Sequence, residues 1–260
     1  MTDAKNILIT GASSGVGEAI AVECARRGAA HLFLCGRDAA RLDAVAASCR
    51  AAGAANVHPR VVDVTDESAV RTWLTDCEAI APIVVVYSNA GIGTGREDEA
   101  NVRRTFATNV GGNLNIVLPM LDVFRKRGAG RRQIVITASI AGYAPLATCP
   151  AYAATKSCMK NWALSLRGLV KREGILVNVV CPGFIRSRIT DRNTCPMPFF
   201  MEAPRAARII VSRVNRDVGL IAFPWPMRLA TWFLSILPWR LSEAISRLLP
   251  EKTTKPSPAT

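Results

Sequence analysis

The chain has 260 residues, 50% of them hydrophobic and 20% charged, usage that excludes a disordered, collagen-like or coiled-coil chain and supplies a sizeable core. Its 33 Lys and Arg against 20 Asp and Glu leave a net charge of +13, which attracts acidic partners and says nothing of fold. The 8 cysteines form no Cys-x-x-Cys pair and have no His at ligand spacing, so they read as buried or incidental thiols and no metal is expected.

Polar Thr2, Asp3, Lys5 and Asn6 run directly into a short apolar strand. That start lacks the apolar core of a signal peptide, so a cytoplasmic protein is expected. The strand NILIT is followed by GASSGVG and a helical pattern, GVGEAIAVECARRG. Gly11, Gly15 and Gly17, with Ser13, Ser14 and Val16 among them, stand where missing side chains let the backbone approach a pyrophosphate. The helix start supplies N–H donors and a positive dipole end. A turn without a nucleotide is the competing reading. The second strand, HLFLCGR, brings Gly36 to the place where an acid would read the ribose of NAD, with Arg37 and Asp38 next. Arg37 is expected to stack on adenine and pair with a 2′-phosphate, so NADP(H) is preferred and NAD(H) second. A solvated Arg37 beside an N-capping Asp38 is the alternative.

The third strand, VHPRVVDV, ends on Asp63 and Val64, and the fourth, IVVVYSN, opens onto Ser88, Asn89, Ala90 and Gly91. Strand C-terminal ends face the ligand crevice of an open parallel sheet, which places both to touch adenine and ribose. After a helical stretch from Asn101 to Arg127, the fifth strand RQIVITAS ends at Ser139. PAYAATK then starts a helix with Tyr152 and Lys156 four residues apart, on one helix face. A phenol of pKa about 10 is a poor base at neutral pH, and a neighbouring ammonium favours its charged form; Ser139 can hydrogen-bond a substrate oxygen. By itself Tyr-x-x-x-Lys occurs on many helices by chance. ILVNVVCPG and VGLIAFP read as the last two strands, on either side of the helical PRAARIIVSRVN. The alternation implies βαβ units and a parallel sheet with helices on both faces. One dinucleotide-binding domain is expected over 1–250, with a flexible tail at 251–260.

TGASSGVG, SNAG, Asn109 in TNVGG, Ser139, YAATK and CPGFIRS together resemble the short-chain dehydrogenases/reductases, in the single-domain branch, over about residues 5–188. The resemblance implies an α/β Rossmann-type doubly wound sheet of seven parallel strands in the order 3-2-1-4-5-6-7. It implies a catalytic set of Asn109, Ser139, Tyr152 and Lys156. Tyr152 would exchange the proton of the substrate oxygen and Ser139 orient it; Lys156 would lower the Tyr152 pKa and bind the nicotinamide ribose. Asn109 would hold a kinked helix and a water leading to Lys156. Pro182, Gly183 and Ile185 would line the nicotinamide, and Ser187 stands where a Thr often meets the phosphates. Ser88 departs from the family's usual Asn. The resemblance also implies a homodimer or homotetramer paired through the helices of Asn109 and Tyr152. The activity expected is NADP(H)-dependent interconversion of a secondary alcohol and a carbonyl; a silent NADP-binding scaffold or regulator is the alternative.

Substrate choice falls to residues 184–217. The apolar PMPFFM (196–201) is either a lid over a lipophilic substrate or packed core, and Arg186, Arg188 and Arg192 either hold an anionic group or face water. In the 218–250 segment, Pro224, Pro226, Pro238, Arg228, Arg240 and Arg247 argue against a membrane span. Burial against the sheet, a helix lying on the inner face of an anionic membrane, and an oligomer contact stay open. RKRGAGRR (125–132), Lys171 and Arg172 match basic patches of carrier-protein reductases, and equally the cations expected at helix C-termini. A lipophilic or carrier-bound substrate is expected, such as a 3-oxoacyl compound or an envelope lipid or polysaccharide precursor, and no nucleic acid partner.

Overall fold

The computed structural model describes residues 6–93, 97–191 and 196–248. Seven parallel strands form one sheet in the order β3-β2-β1-β4-β5-β6-β7, comprising β1 (Asn6–Thr10), β2 (His31–Gly36), β3 (Asn56–Val61), β4 (Val85–Ser88), β5 (Gln133–Thr137), β6 (Leu176–Pro182) and β7 (Leu220–Phe223). The expected order is the observed one. The central strands are buried on both faces, and alternate residues serve different layers. Ile7 and Ile9 pack with Leu32, Leu34, Ile210 and Val214 on one face, while Leu8, Phe33, Trp73, Phe124 and Met159 fill the other.

The first layer is covered by α1 (Gly15–Arg26), α2 (Ala39–Ala51) and α7 (Ala203–Asn215); the second by α3 (Glu67–Ile80), α5 (Gly112–Arg127) and α6 (Pro150–Val170). Local chemistry starts these helices. Asp38, Asp66 and the Asp98 before α4 (Glu99–Phe106) each accept the backbone N–H three residues on, the bond that an N-cap side chain supplies. The predicted helix from Asn101 to Arg127 is observed as α4 and α5 joined through a π-helical turn, Ala107–Gly111. Such widened turns gather at functional positions. β3 stops at Val61, so Asp63 and Val64 lie in the turn after it and not on the strand.

Beyond β7 the chain forms α8 (Trp225–Ile236) and α9 (Trp239–Arg247). Burial against the sheet, one of the three readings of the 218–250 segment, holds for β7 and fails for α8 and α9: of the α8 side chains only Leu234 is buried, and α9 buries Ser242 and Ser246. Among the described residues no helix is long and apolar enough to cross a membrane. The thiol reading holds where it can be inspected, since six of the described cysteines are buried and Cys158 is exposed. Burial pushes the Cys24, Cys77 and Cys181 thiols up to about 12, which makes them poor nucleophiles. Arg192 and the 251–260 tail lie outside the described residues.

Candidate active site

The site is assembled at the C-terminal edge of the sheet. After β1, Gly11 and Gly15 hold φ of +64° and +61°, a region that favours glycine. Gly17 approaches the same turn so closely that a Cβ there would stand 2.2 Å from the Gly11 carbonyl oxygen. Ser14 begins α1 without a side-chain capping bond, which leaves the first-turn N–H groups of the helix to an anion. Ser187, beyond β6, closes the turn from the other side, 2.9 Å from where a Gly15 Cβ would be.

At the end of β2, a Cβ on Gly36 would lie 2.8 Å from both Cβ and Oγ of Ser13, so packing leaves no room for a ribose-reading acid. Arg37 is 60% exposed, its guanidinium 3.8 Å from Asp63. Burial pushes the Asp63 carboxyl up, but bonds from the Thr65 N–H and hydroxyl, with Arg37 beside them, outweigh it and hold the group below its ordinary value. Asp38 is indeed the N-cap of α2, accepting the Arg41 N–H at 3.0 Å. Thr10 Oγ1 receives the N–H groups of Asn89 and Ala90, both at 3.0 Å, and so sets the loop after β4.

Asn109 sits in the π-turn. Its Oδ1 accepts the Ile92 N–H at 2.7 Å, and Nδ2 donates to the Ile92 carbonyl at 2.9 Å and to Thr155 Oγ1 at 3.1 Å. The side chain thus ties the Ala90–Ile92 loop to α6. Ser139 starts a single 3-10 turn, Ile140–Gly142, by accepting the Ala141 N–H at 3.1 Å, and it hydrogen-bonds the Tyr152 phenol. Lys156 is buried, donating to the Thr137 carbonyl at 2.9 Å. The four residues expected to act together therefore converge between β4, β5 and α6, on the edge that also carries the glycine turn.

The profile of the short chain dehydrogenase family matches residues 5–196. An uncharacterized oxidoreductase of Myxococcus xanthus is 36% identical over 254 residues, which make up 94% of this chain and 97% of that one. The chain belongs to the short-chain dehydrogenases. A second relative, an uncharacterized oxidoreductase of Mycobacterium tuberculosis, is 30% identical over 92% of this chain and 96% of its own. Among solved structures, a short-chain dehydrogenase from Sphingobium yanoikuyae in complex with NADPH superposes with a TM-score of 0.77 at 26% identity, covering 94% of each chain. The protein is thus a short-chain dehydrogenase/reductase, an enzyme of CH–OH groups. The residues present fit a nicotinamide dinucleotide: a side-chain-free turn, an uncapped helix start at Ser14, and an exposed Arg37 at the end of β2.

Burial pushes the Tyr152 phenol up to about 12, opposed by the Ser139 bond, and pulls Lys156 down to about 8. Lys156 Nζ stands 5.8 Å from the Tyr152 ring centroid, held by the Thr137 carbonyl. Desolvation disfavours the charged form of each group.

Several positioning residues of this dehydrogenase escaped the sequence reading. A Cβ on Gly142 would lie 2.6 Å from the Lys156 carbonyl carbon, so this glycine lets the turn of Ser139 sit on α6. Asn113 donates to the Asn109 carbonyl at 2.8 Å and accepts the Ser88 hydroxyl at 2.6 Å. Its spacing from Asn109, one turn on the same face, was the available signal. The Glu97 carboxylate accepts the Ala151 N–H at the start of α6, a contact between segments that no local pattern announces.

In the specificity region, Phe199 is exposed and Met197, Phe200 and Met201 are half-buried, so the PMPFFM loop is not closed core. Arg186 pairs with Glu202 at 2.9 Å and covers the Phe200 ring, while Arg188 is exposed. Ile189 and Tyr152 both flank Gly93, which gives the pocket wall beside the phenol an apolar member. Most of the basic run 125–132 is engaged internally: Arg125 with Glu173, Arg127 with Glu78, Arg131 with Gln133, and Arg132 with the Phe124 and Glu173 carbonyls. Among the described residues no group of three His, Cys, Asp or Glu could hold a metal.

Proposed function

We propose that this short-chain dehydrogenase is an NADP(H)-dependent carbonyl reductase, with Tyr152 as general acid and a lipophilic carbonyl compound as substrate. What carries the reading is the convergence of buried Ser139, Lys156 and Asn109 with half-buried Tyr152 in one cluster on the edge that holds the glycine turn. The dinucleotide, when bound, supplies the hydride. Ser139 would hold the substrate oxygen, and Tyr152 would donate a proton to it as negative charge develops there. A phenol pushed up to about 12 is protonated at neutral pH, which suits reduction; oxidation would need it ionised. Lys156, with a pKa near 8, is positioned to hold polar hydroxyls of the cofactor from inside the pocket, and Asn109 keeps the loop between them in register with α6.

A panel of ketones and acyl substrates assayed with NADPH tests this. Turnover is expected with apolar members, which the Ile189 wall beside Tyr152 would accommodate. Nucleotide binding without turnover of any member would favour the silent scaffold. The internally paired arginines of 125–132 lend the carrier-bound version less support than the lipophilic one.

The NADP(H) preference rests on Arg37 and on the absence of room for an acid at Gly36, and the NADPH carried by the Sphingobium enzyme is in keeping with it. A charge-assisted contact contributes roughly 1.5–3 kcal/mol, so Arg37→Ala should weaken NADPH binding about 10- to 100-fold and weaken NADH, which shares the adenine but lacks the 2′-phosphate, much less. Titrating both nucleotides into both proteins decides this; equal affinities in the wild type would remove the preference. The same reading includes a homo-oligomer paired through α5 and α6, whose outer faces expose Leu118, Leu164 and Leu169. Light scattering should then give a multiple of the 28.0 kDa chain mass, and a monomer would reject the pairing.

A further inference from the structure

We propose that α8 and α9 form a docking arm that lies in the headgroup layer of an anionic lipid bilayer. The observation is an inverted pair of helices. On α8, Trp225, Leu229, Trp232, Phe233 and Ile236 are all exposed and recur at the four- and seven-residue intervals of a single helix face. On α9, Leu241 and Ile245 continue into Leu248 in the same way, and Trp239 at the start of the helix is exposed too. The face that α9 turns inward is polar: Ser242 and Ser246 are buried, and Ser246 Oγ accepts the Ala147 N–H at 2.7 Å. This bond holds the helix with its apolar side outward, the reverse of a helix packed on a core.

Three occupants of such a face can be compared. Residues 249–260, LPEKTTKPSPAT, are too polar and proline-rich to cover it. A second copy would meet it through an isologous contact, which brings the same residues of both chains together. Exposed Arg228, Arg240 and Arg247 fringe the stripe, and Glu243, the one acid in 225–248, already pairs with Arg247 at 2.5 Å. Pairing two such faces would gather arginines without counter-charges. Lipid phosphates supply those charges, and an apolar stripe fringed by Arg and carrying Trp is the composition that suits the interface. At 12 and 9 residues, the helices reach about 18 and 14 Å against a hydrocarbon core of about 30 Å, so they can lie on a bilayer but not cross it.

The arm also starts at the site. Pro224 and Met227 stand 2.9 and 3.0 Å from where a Cβ on Gly183 would be, so docking would hold the mouth of the pocket at the lipid surface. The docking itself does not depend on the proposed reaction.

The test is co-sedimentation of the full chain with phosphatidylcholine vesicles, with and without phosphatidylserine, at low and high salt. Pelleting with the serine-containing vesicles at low salt is expected, falling about tenfold or more without the anionic lipid or at high salt. Substituting Leu229→Glu, Phe233→Glu and Ile245→Glu together should abolish pelleting and leave the melting temperature and light-scattering mass unchanged. In the unaltered chain, brominated lipid should quench tryptophan fluorescence, a readout that needs no variant. A full chain that stays in the supernatant with anionic vesicles at low salt overturns the proposal, as does absence of quenching. A triple variant that fails to pellet because its mass has fallen would also overturn it, assigning the stripe to a contact between copies.

Discussion

Tyr152→Phe is expected to lower turnover by about 10²- to 10⁴-fold, the range that a positioned general acid contributes, while changing NADPH affinity by less than about threefold. Phenylalanine fills the same volume and keeps the ring against Gly93, so the loss isolates the hydroxyl. That hydroxyl is hydrogen-bonded by Ser139 and desolvated, with its proton held up to about 12; nothing else in the cluster offers an equivalent acid at the same point. Lys156, with its ammonium turned to the Thr137 carbonyl, cannot replace it without leaving that bond. The measurement is single-turnover NADPH oxidation by both proteins with the best substrate of the panel. If Tyr152→Phe retains a third or more of the rate, another group delivers the proton and the assignment fails.

Lys156→Met should be inactive yet at least as stable as the wild type at pH 7. Lys156 falls from 10.5 to about 8 on folding because burial disfavours the ammonium. The sign follows from linkage: a base whose pKa is depressed by folding stabilises the native state fully above pH 10.5, and that contribution is lost as pH falls through about 8. At pH 7 the folded chain therefore carries a charge in a dry pocket, at a cost of about 3 kcal/mol before the Thr137 bond is credited. Methionine removes the charge and nearly keeps the length, giving a net gain of about 2 kcal/mol once a bond of about 1 kcal/mol is forgone. The melting temperature should rise by roughly 4–8 °C. Tyr152 and the buried thiols, all raised by burial, lower stability at alkaline pH in both proteins and cancel in the comparison. The gap between the two proteins should therefore be widest near pH 7 and close toward pH 10. Parallel stability curves would show that Lys156 is not desolvated in the folded chain.

Such a lysine illustrates why active sites conflict with stability: a group useful for its proximity to a phenol is held where its charge is unwelcome. The local sequence could place Lys156 four residues from Tyr152, and the helix does so. It could not say whether the ammonium faces the phenol or the end of β5, because that depends on where β5 lies relative to α6. The same limit applies to Gly36 and Gly142. Each looks like an ordinary turn glycine in the sequence, and each is required because a different segment, Ser13 or the α6 backbone, occupies the space of its side chain.

What the sequence determined by itself is the periodic and the contiguous: alternating strands and helices, the glycine turn between β1 and α1, the strand order through its family motifs, and the identity of the cluster residues. These are legible because hydrophobic period, capping residues and motif spacing act within a few residues of one another. Only the tertiary structure decided the direction of the Tyr152 and Lys156 shifts, the internal pairing of the 125–132 arginines, and the outward turn of the α8 and α9 stripes. Burial and opposing charge come from segments far apart in the chain. An apolar helical stripe has the same period whether it meets a core or the solvent; here the buried Ser246 hydroxyl, bonded to the Ala147 N–H, is what shows which way α9 turns.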